Sequence, residues 1–331
     1  MRPSSNYFLE SSLYDFRSQE RYTPISVHFE YFSDVKVFVE ETLKKGVKGL
    51  VAEFKGMKRS NDFTVMTAFV AEIPNGRNRY KDVGCLDNRR VVLNIGSTSY
   101  IHANYAPLPK TCPEFWYMVV QEKSSSVLML CNFVEQNAKK CAEYYPTQEG
   151  QTLQFDDGVS VLCKGQDDVR SKSNARFPFP METKVKIRVT HLEVSVSGQP
   201  MHECDHYQWV DWPDRGVPEA DMAPIALLAK LKESTAPIIV HCSAGIGRTG
   251  CIVLIEHAME LLHNNEPLLE INGYLLELRK QRNNSIQTEQ QYLYVHQVLL
   301  LYLKKAKYLD DVVDPYLESF TKDYEAATKG F

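Results

Sequence analysis

The sequence predicts an α/β (α+β) domain, and three observations along its 331 residues predict it. Helical periodicity opens the chain from about residue 34, short β-branched runs dominate from about 63 to 200, and helical periodicity returns after 218. Within the last part, Pro237-Ile238-Ile239-Val240 is a fully apolar run of the kind that forms a buried strand. It leads at once into a glycine-bearing turn and an apolar helix from Cys251 to about Leu262.

Residues 1–33 are polar with scattered aromatics and read as an N-terminal extension. Ser33-Asp34 then mark a helix start, Val35, Phe38, Val39 and Leu43 its apolar face, and Gly46 its stop. A second helical stretch carries Val47, Leu50, Val51 and Phe54 on one face. Val91-Val92-Leu93, Ser126 to Leu130, Val159 to Leu162 and Val185 to Val189 read as strands, the last alternating cleanly enough to have one wet face. Asp221 caps a helix bearing Met222, Ile225, Leu228 and Leu231. Further helices are predicted over Leu268–Arg282 and Thr288–Lys304. Beyond 305, Pro315 and mixed charge suggest a loosely docked C-terminal extension. No repeat or linker divides 34–304, so one domain is expected.

Composition narrows the function. A net charge of −4 lacks the basic balance that nucleic acid demands. No apolar run is long enough for a membrane span, and Met1 to Asn6 lacks a signal peptide's apolar stretch. The eight cysteines contain no C-x-x-C pair, so no metal site is expected. Cys131 and Cys251 lie inside apolar runs, where a thiol packs as a small hydrophobe, and Cys112 and Cys141 are read the same way. These features suit a cytoplasmic chain with reduced thiols.

The informative stretch is His241-Cys242-Ser243-Ala244-Gly245-Ile246-Gly247-Arg248-Thr249-Gly250. A loop between a buried strand and a helix N-terminus aims several backbone N–H groups at one point, where the helix dipole also favours an anion. Gly245 and Gly247 let that backbone approach a ligand closely. Arg248 adds a planar fork that pairs two phosphate oxygens at once. Cys242 sits at the base of this bowl, where N–H dipoles and Arg248 favour a nucleophilic sulfur. Thr249 is expected to donate its hydroxyl to that sulfur, and His241 to orient the loop from behind. A nucleotide-binding P-loop needs Gly-Lys-Ser/Thr, and Arg248 follows Gly247 here.

At these residues the sequence resembles the protein tyrosine phosphatase family, whose His-Cys-x5-Arg-Ser/Thr-Gly signature is met from His241 to Gly250. Four other motifs agree in order, over roughly residues 50–304: Asn78 to Val83, Glu135 to Cys141, Asp211 to Pro218, and Gln287 to Tyr292. The resemblance implies a highly twisted mixed sheet flanked by helices. It also implies hydrolysis of phosphotyrosine in proteins through a phosphocysteine, with no metal or cofactor and in a monomer. Asp214, on a loop carrying Trp212, becomes the general acid and then the base. Gln287 and Gln291 hold the attacking water. Tyr80 walls a slot too deep for phosphoserine, and Asp82 anchors the peptide backbone. Glu135 braces Arg248, and Lys140 lies near the closed loop. Ser243, Ala244, Gly245, Ile246 and Gly247 bind the phosphate.

The chain departs from the pattern in three places. Tyr100-Ile101-His102-Ala103-Asn104-Tyr105 runs straight into Ala106-Pro107-Leu108-Pro109, where the family inserts a strand-bearing segment, so a strand pairing is expected to be lost. Arg215 stands at a position often aromatic or His. Asn284-Ser285 replace a glycine that in some members opens a second phosphate pocket, so no such pocket is expected. The alternative reading is a silent phosphotyrosine-binding pseudophosphatase, and a dual-specificity or lipid phosphatase would be expected to lack Tyr80 and Asp82.

Overall fold

The computed structural model describes residues 13–14, 31–57, 59–88, 90–103, 106–168, 185–232 and 234–329. Most of the predicted N-terminal extension, together with Asn104 and Tyr105, lies outside the described residues. The strands are β1 (Leu13–Tyr14), β2 (Ser126–Met129), β3 (Val134–Glu135), β4 (Ala138–Lys139), β5 (Thr152–Phe155), β6 (Val159–Asp168), β7 (Ile187–Val196), β8 (His202–Trp209) and β9 (Ile238–His241). The helices are α1 (Tyr31–Gly56), α2 (Thr67–Ala71), α3 (Cys112–Gln121), α4 (Ala223–Leu231), α5 (Arg248–His263), α6 (Ile271–Arg279), α7 (Glu289–Lys305) and α8 (Asp314–Thr328).

A seven-stranded mixed sheet runs in the order β1-β9-β2-β8-β7-β6-β5, and β3 pairs with β4 in a separate hairpin. The centre is parallel: β2 pairs with both β9 and β8 in that sense, while the outer pairings are antiparallel. Burial explains the division. Ile238, Ile239 and Val240 are covered on both faces, as a central parallel strand requires. Entering β7, Val185, Ile187 and Val189 are buried while Lys186 and Arg188 are exposed, the alternation expected of a strand with one wet face, and from Thr190 the buried set (Thr190, Leu192, Val194, Val196) passes to the other face.

Gly46 interrupts α1 with φ +57 and ψ −178, so the predicted stop is a kink between two helical segments. Val35, Phe38 and Val39 bury the first segment; Val47, Leu50 and Phe54 bury the second. Helix α5 is sunk in the core, with Cys251 to Ile255 buried. Asp221 Oδ1 accepts the Ala223 N–H at 2.8 Å, so the predicted capping side chain serves the first residue of α4 from one position ahead of its N-cap, Met222.

Two expectations need revision or detail. The tail beyond 305 is not loosely docked: α8 packs on α1 and α7, with Phe320 and Tyr324 buried and Gln297 Nε2 donating to Thr321 Oγ1 at 2.9 Å. Around the shortened stretch, Val92 and Tyr100 form an isolated bridge instead of a strand pair. The chain after it is stitched to the phosphate loop by the Ala106 N–H, which donates to Ser243 O at 3.3 Å. Arg79 Nη2 also donates to Pro107 O at 2.7 Å. Among the described residues, no helix is long and apolar enough to cross a membrane.

Candidate active site

Strand β9 ends at His241 and α5 begins at Arg248, so the intervening backbone must turn sharply at the helix N-terminus. Gly245 takes φ +62, a conformation that disfavours a side chain, and its N–H donates to Cys242 Sγ at 3.2 Å. The loop is held from the connection between α6 and α7, where Ile286 N–H donates to Ile246 O at 2.9 Å. Arg282 Nε donates to Gly245 O in the same region. Sequence reasoning missed Arg282, which reads only as a basic helix end.

Arg248 is buried, and both terminal nitrogens of its fork have partners in this structure. Nη1 and Nη2 donate to the two carboxylate oxygens of Glu135 at 2.6 and 2.9 Å, the bidentate geometry that fixes a guanidinium plane. The same nitrogens reach Trp212 O and Asp214 Oδ1, each at 3.1 Å. Burial is the largest single influence on Arg248 and works against its charge, but the hydrogen bond to Glu135 and the surrounding Cys242, Cys131 and Glu135 together outweigh it and hold the group above its ordinary range. Glu135 can reach this point because β3 and β4 are joined by Gln136 and Asn137, both at positive φ, in a tight hairpin turn.

Asp214 lies over the loop between two cations. Its Oδ2 accepts from Lys140 Nζ at 2.8 Å, and its Oδ1 faces Arg248. The hydrogen bond to Asp214 raises the Lys140 pKa, so the ammonium is secure. Trp212 is buried between Trp209 and Tyr294, at ring separations of 4.9 and 5.3 Å, and anchors one end of the segment. Arg215, exposed at φ +61, accepts at its carbonyl from Thr288 Oγ1 at 3.0 Å.

Both glutamines crowd the phosphate loop. A Cβ at Gly247 would meet Gln291 Nε2 and Oε1 at 2.9 Å and Gln287 Oε1 at 3.1 Å, so glycine permits the close approach. Gln291 Oε1 accepts the Gln287 N–H at 2.9 Å, while its buried Nε2 has no hydrogen-bond partner among the described residues. On the opposite wall, Ser243 Oγ donates to Lys140 O at 3.1 Å. Its hydrogen being committed there, Ser243 accepts from the Tyr80 hydroxyl 3.0 Å away, and this pins the tyrosine ring.

One cavity of about 340 Å³ collects Cys242, Ser243, Ala244 and Arg248 with Tyr80, Asp82, Lys140, Asp214, Gln287 and Gln291. Glu135, Trp212 and His241 stand behind it. Thr249 departs from expectation: its hydroxyl is buried with no hydrogen-bond partner among the described residues, so it does not bond the sulfur here. His241 instead faces the Cys242 carbonyl through Nδ1 at 3.3 Å and Tyr144 Oη through Nε2 at 2.7 Å. Burial pushes its pKa down to about 4, so the ring is neutral. A second open cavity of about 450 Å³ adjoins the first, lined by Arg59, Arg215, Asn284 and Thr288. Asn284, at which no second phosphate pocket is expected, thus borders an open cavity. The remaining thiols are packing groups: all eight cysteines are free, and burial pushes Cys112 up to about 12 and raises Cys141, Cys204 and Cys251.

A thiol and a guanidinium thus share one loop at a helix N-terminus, with a carboxylate above them. Residues 74–301 match the model of the protein-tyrosine phosphatase family, and the chain belongs to that family. It is 32% identical over 253 residues to tyrosine-protein phosphatase non-receptor type 2 of Homo sapiens, covering 70% of this chain and 57% of the relative. Over 275 residues it is 32% identical to tyrosine-protein phosphatase Lar-like of Caenorhabditis elegans, covering 76% of this chain and 12% of the relative. It is likewise 32% identical over 251 residues to receptor-type tyrosine-protein phosphatase F of Homo sapiens, covering 69% of this chain and 12% of the relative. The chain thus spans a little over half of the non-receptor relative and about an eighth of the others.

Proposed function

We propose that this chain hydrolyses phosphotyrosine in proteins, using Cys242 as nucleophile and no metal or cofactor. The reading is carried by one observation: Cys242, Arg248 and Asp214 face one cavity whose wall is Tyr80. The loop N–H groups and Arg248 hold the phosphoryl oxygens, and the Cys242 sulfur attacks phosphorus from below. As the S–P bond forms and the P–O bond to the phenol breaks, Asp214 gives its proton to the leaving oxygen. Water then attacks the phosphocysteine, held by the Gln287 and Gln291 amides. Asp214 takes the water's proton, and thiolate and phosphate are released. Tyr80, pinned by Ser243, sets a depth that a phosphotyrosine ring spans and a phosphoserine does not. Asp82, exposed at the rim, holds the substrate backbone N–H groups.

The same reading places the enzyme in cytoplasmic signalling, acting as a monomer on phosphotyrosine-containing proteins in a reducing compartment. The test uses purified chain with a phosphotyrosyl peptide, a phosphothreonyl peptide and a phosphoinositide, in parallel with Cys242→Ser. Turnover of the phosphotyrosyl peptide alone is expected, abolished in Cys242→Ser with peptide binding retained. Undiminished turnover by Cys242→Ser would sink the mechanism, and preference for either other substrate would sink the specificity.

A further inference from the structure

A buried polar chain behind the phosphate loop belongs to no step described above. Tyr144 Oη lies 2.6 Å from His206 Nε2 and 2.7 Å from His241 Nε2, and all three side chains are buried. Tyr144 has one proton for two histidines, so one of the rings must donate to it. His241 decides which. Its Nδ1 faces the Cys242 carbonyl at 3.3 Å, and a carbonyl can only accept, so that nitrogen carries the proton. In a neutral ring Nε2 is then bare and accepts the Tyr144 O–H. The Tyr144 oxygen in turn accepts from His206 Nε2–H. His206 Nδ1 is left bare, in keeping with its being buried without a hydrogen-bond partner among the described residues. Burial drives the pKa of His206 well down and that of Tyr144 well up, so neither group ionises.

We infer that His206 is a positioning residue for the proposed phosphatase reaction: by donating to Tyr144 it polarises the hydroxyl that His241 Nε2 accepts, and so strengthens the hydrogen bond that His241 Nδ1–H aims at the Cys242 carbonyl. All donors point the same way, from β8 to the loop, and hydrogen bonds in series strengthen one another. The last one draws electron density from the peptide unit between Cys242 and Ser243. That makes the Ser243 N–H a better donor to the phosphate. The Tyr145 ring stacks on His206 at 3.8 Å and holds it in plane. Trp116 Nε1 ties the Tyr144 carbonyl at 2.9 Å.

The test compares His206→Phe, which keeps an aromatic ring but loses the donor, with His206→Gln, whose amide N–H can replace Nε2–H. Nitrogen-15 NMR of histidine-labelled protein reads the His241 tautomer directly, without relying on activity, while kcat/KM on a phosphotyrosyl peptide reads its consequence. In wild type the His241 signals are those of a single Nδ1–H form. His206→Phe is expected to keep that tautomer but shift its Nδ1–H signal towards a weaker hydrogen bond and lower kcat/KM several-fold, and His206→Gln to restore both. The inference is overturned if folded His206→Phe keeps the wild-type His241 spectrum, or if Gln and Phe are equally impaired. A wild-type chain that turned over no phosphotyrosine would defeat the function proposed above but leave the tautomer readout standing.

Discussion

Lys140 Nζ donates to Asp214 Oδ2 at 2.8 Å, so the acid of the candidate site is held by a cation from the β3–β4 hairpin as well as by Arg248. Lys140→Ala removes one of those two restraints and leaves the phosphate grip intact. The expected result is a fall in kcat of about 3- to 10-fold with KM little changed, the pattern of an interaction that matters in the transition state. Steady-state kinetics on a phosphotyrosyl peptide check it; a raised KM at constant kcat would assign Lys140 to substrate binding.

Glu135 should matter for stability as well as turnover. Both carboxylate oxygens neutralise a guanidinium that is only 2% exposed. Removing one member of a buried pair leaves the other charge uncompensated, at a cost of about 3–5 kcal/mol. Glu135→Ala is therefore expected to lower the unfolding midpoint in urea and weaken competitive inhibition by inorganic phosphate. A variant that lost neither would show that Asp214 alone suffices to hold Arg248.

Gly247→Ala tests the water-holding step. Its φ of −80 is negative, and the Cβ of an alanine would meet the two glutamine amides. Release of the first product should survive while hydrolysis of the phosphocysteine slows by about 10-fold or more, as expected when a reacting group is displaced. Rapid-mixing kinetics would then show a burst of phenol followed by slow turnover. A proportional loss in both phases would place the fault in the phosphate cradle.

Stability should decline in mild acid. Burial depresses His241, His257 and His296 to about 4 and His102 to about 3, from an ordinary 6.5. The unfolded chain thus gains protons that the folded chain refuses, and stability present above pH 6.5 drains away as pH falls towards 4. Glu256 opposes this in part, because burial raises it to about 7 and the folded state favours its protonated form. His206 is depressed as well, so five histidines work against stability in acid, opposed by the raised Glu256, Glu260 and His191, and the net expectation is a loss. Thermal melts from pH 7 to 4 check the trend, and His257→Phe should flatten it; a constant midpoint would contradict it.

The parts legible in the sequence are those written within a short span. Cys242 to Arg248 forms one loop, Gly46 breaks one helix, and Asp221 caps the next, because each depends on neighbours in the chain. Contacts that need the sheet to bring distant strands together were harder to see. Tyr144 sits in an unremarked tyrosine pair, and only the parallel pairing of β2 with β8 and β9 brings His206 and His241 towards it from either side. The hydroxyl of Thr249 illustrates the converse: proximity in sequence to Cys242 did not give it a bond to the sulfur. Pro315 and mixed charge mask α8 in the sequence, although the i, i+4 spacing of Phe320 and Tyr324 is that of a helix with one apolar edge.

That last helix bears on how the domain is handled at the bench. The stretch matched to the family ends at residue 301, inside α7, before the residues that form α8. An expression fragment trimmed to that limit would strip the cover from α1 and α7 and leave Gln297 without Thr321. Its expected fate is the insoluble fraction, with an intact phosphate loop inside it, so a trimmed fragment's silence in an assay would speak to its boundary and not to its chemistry.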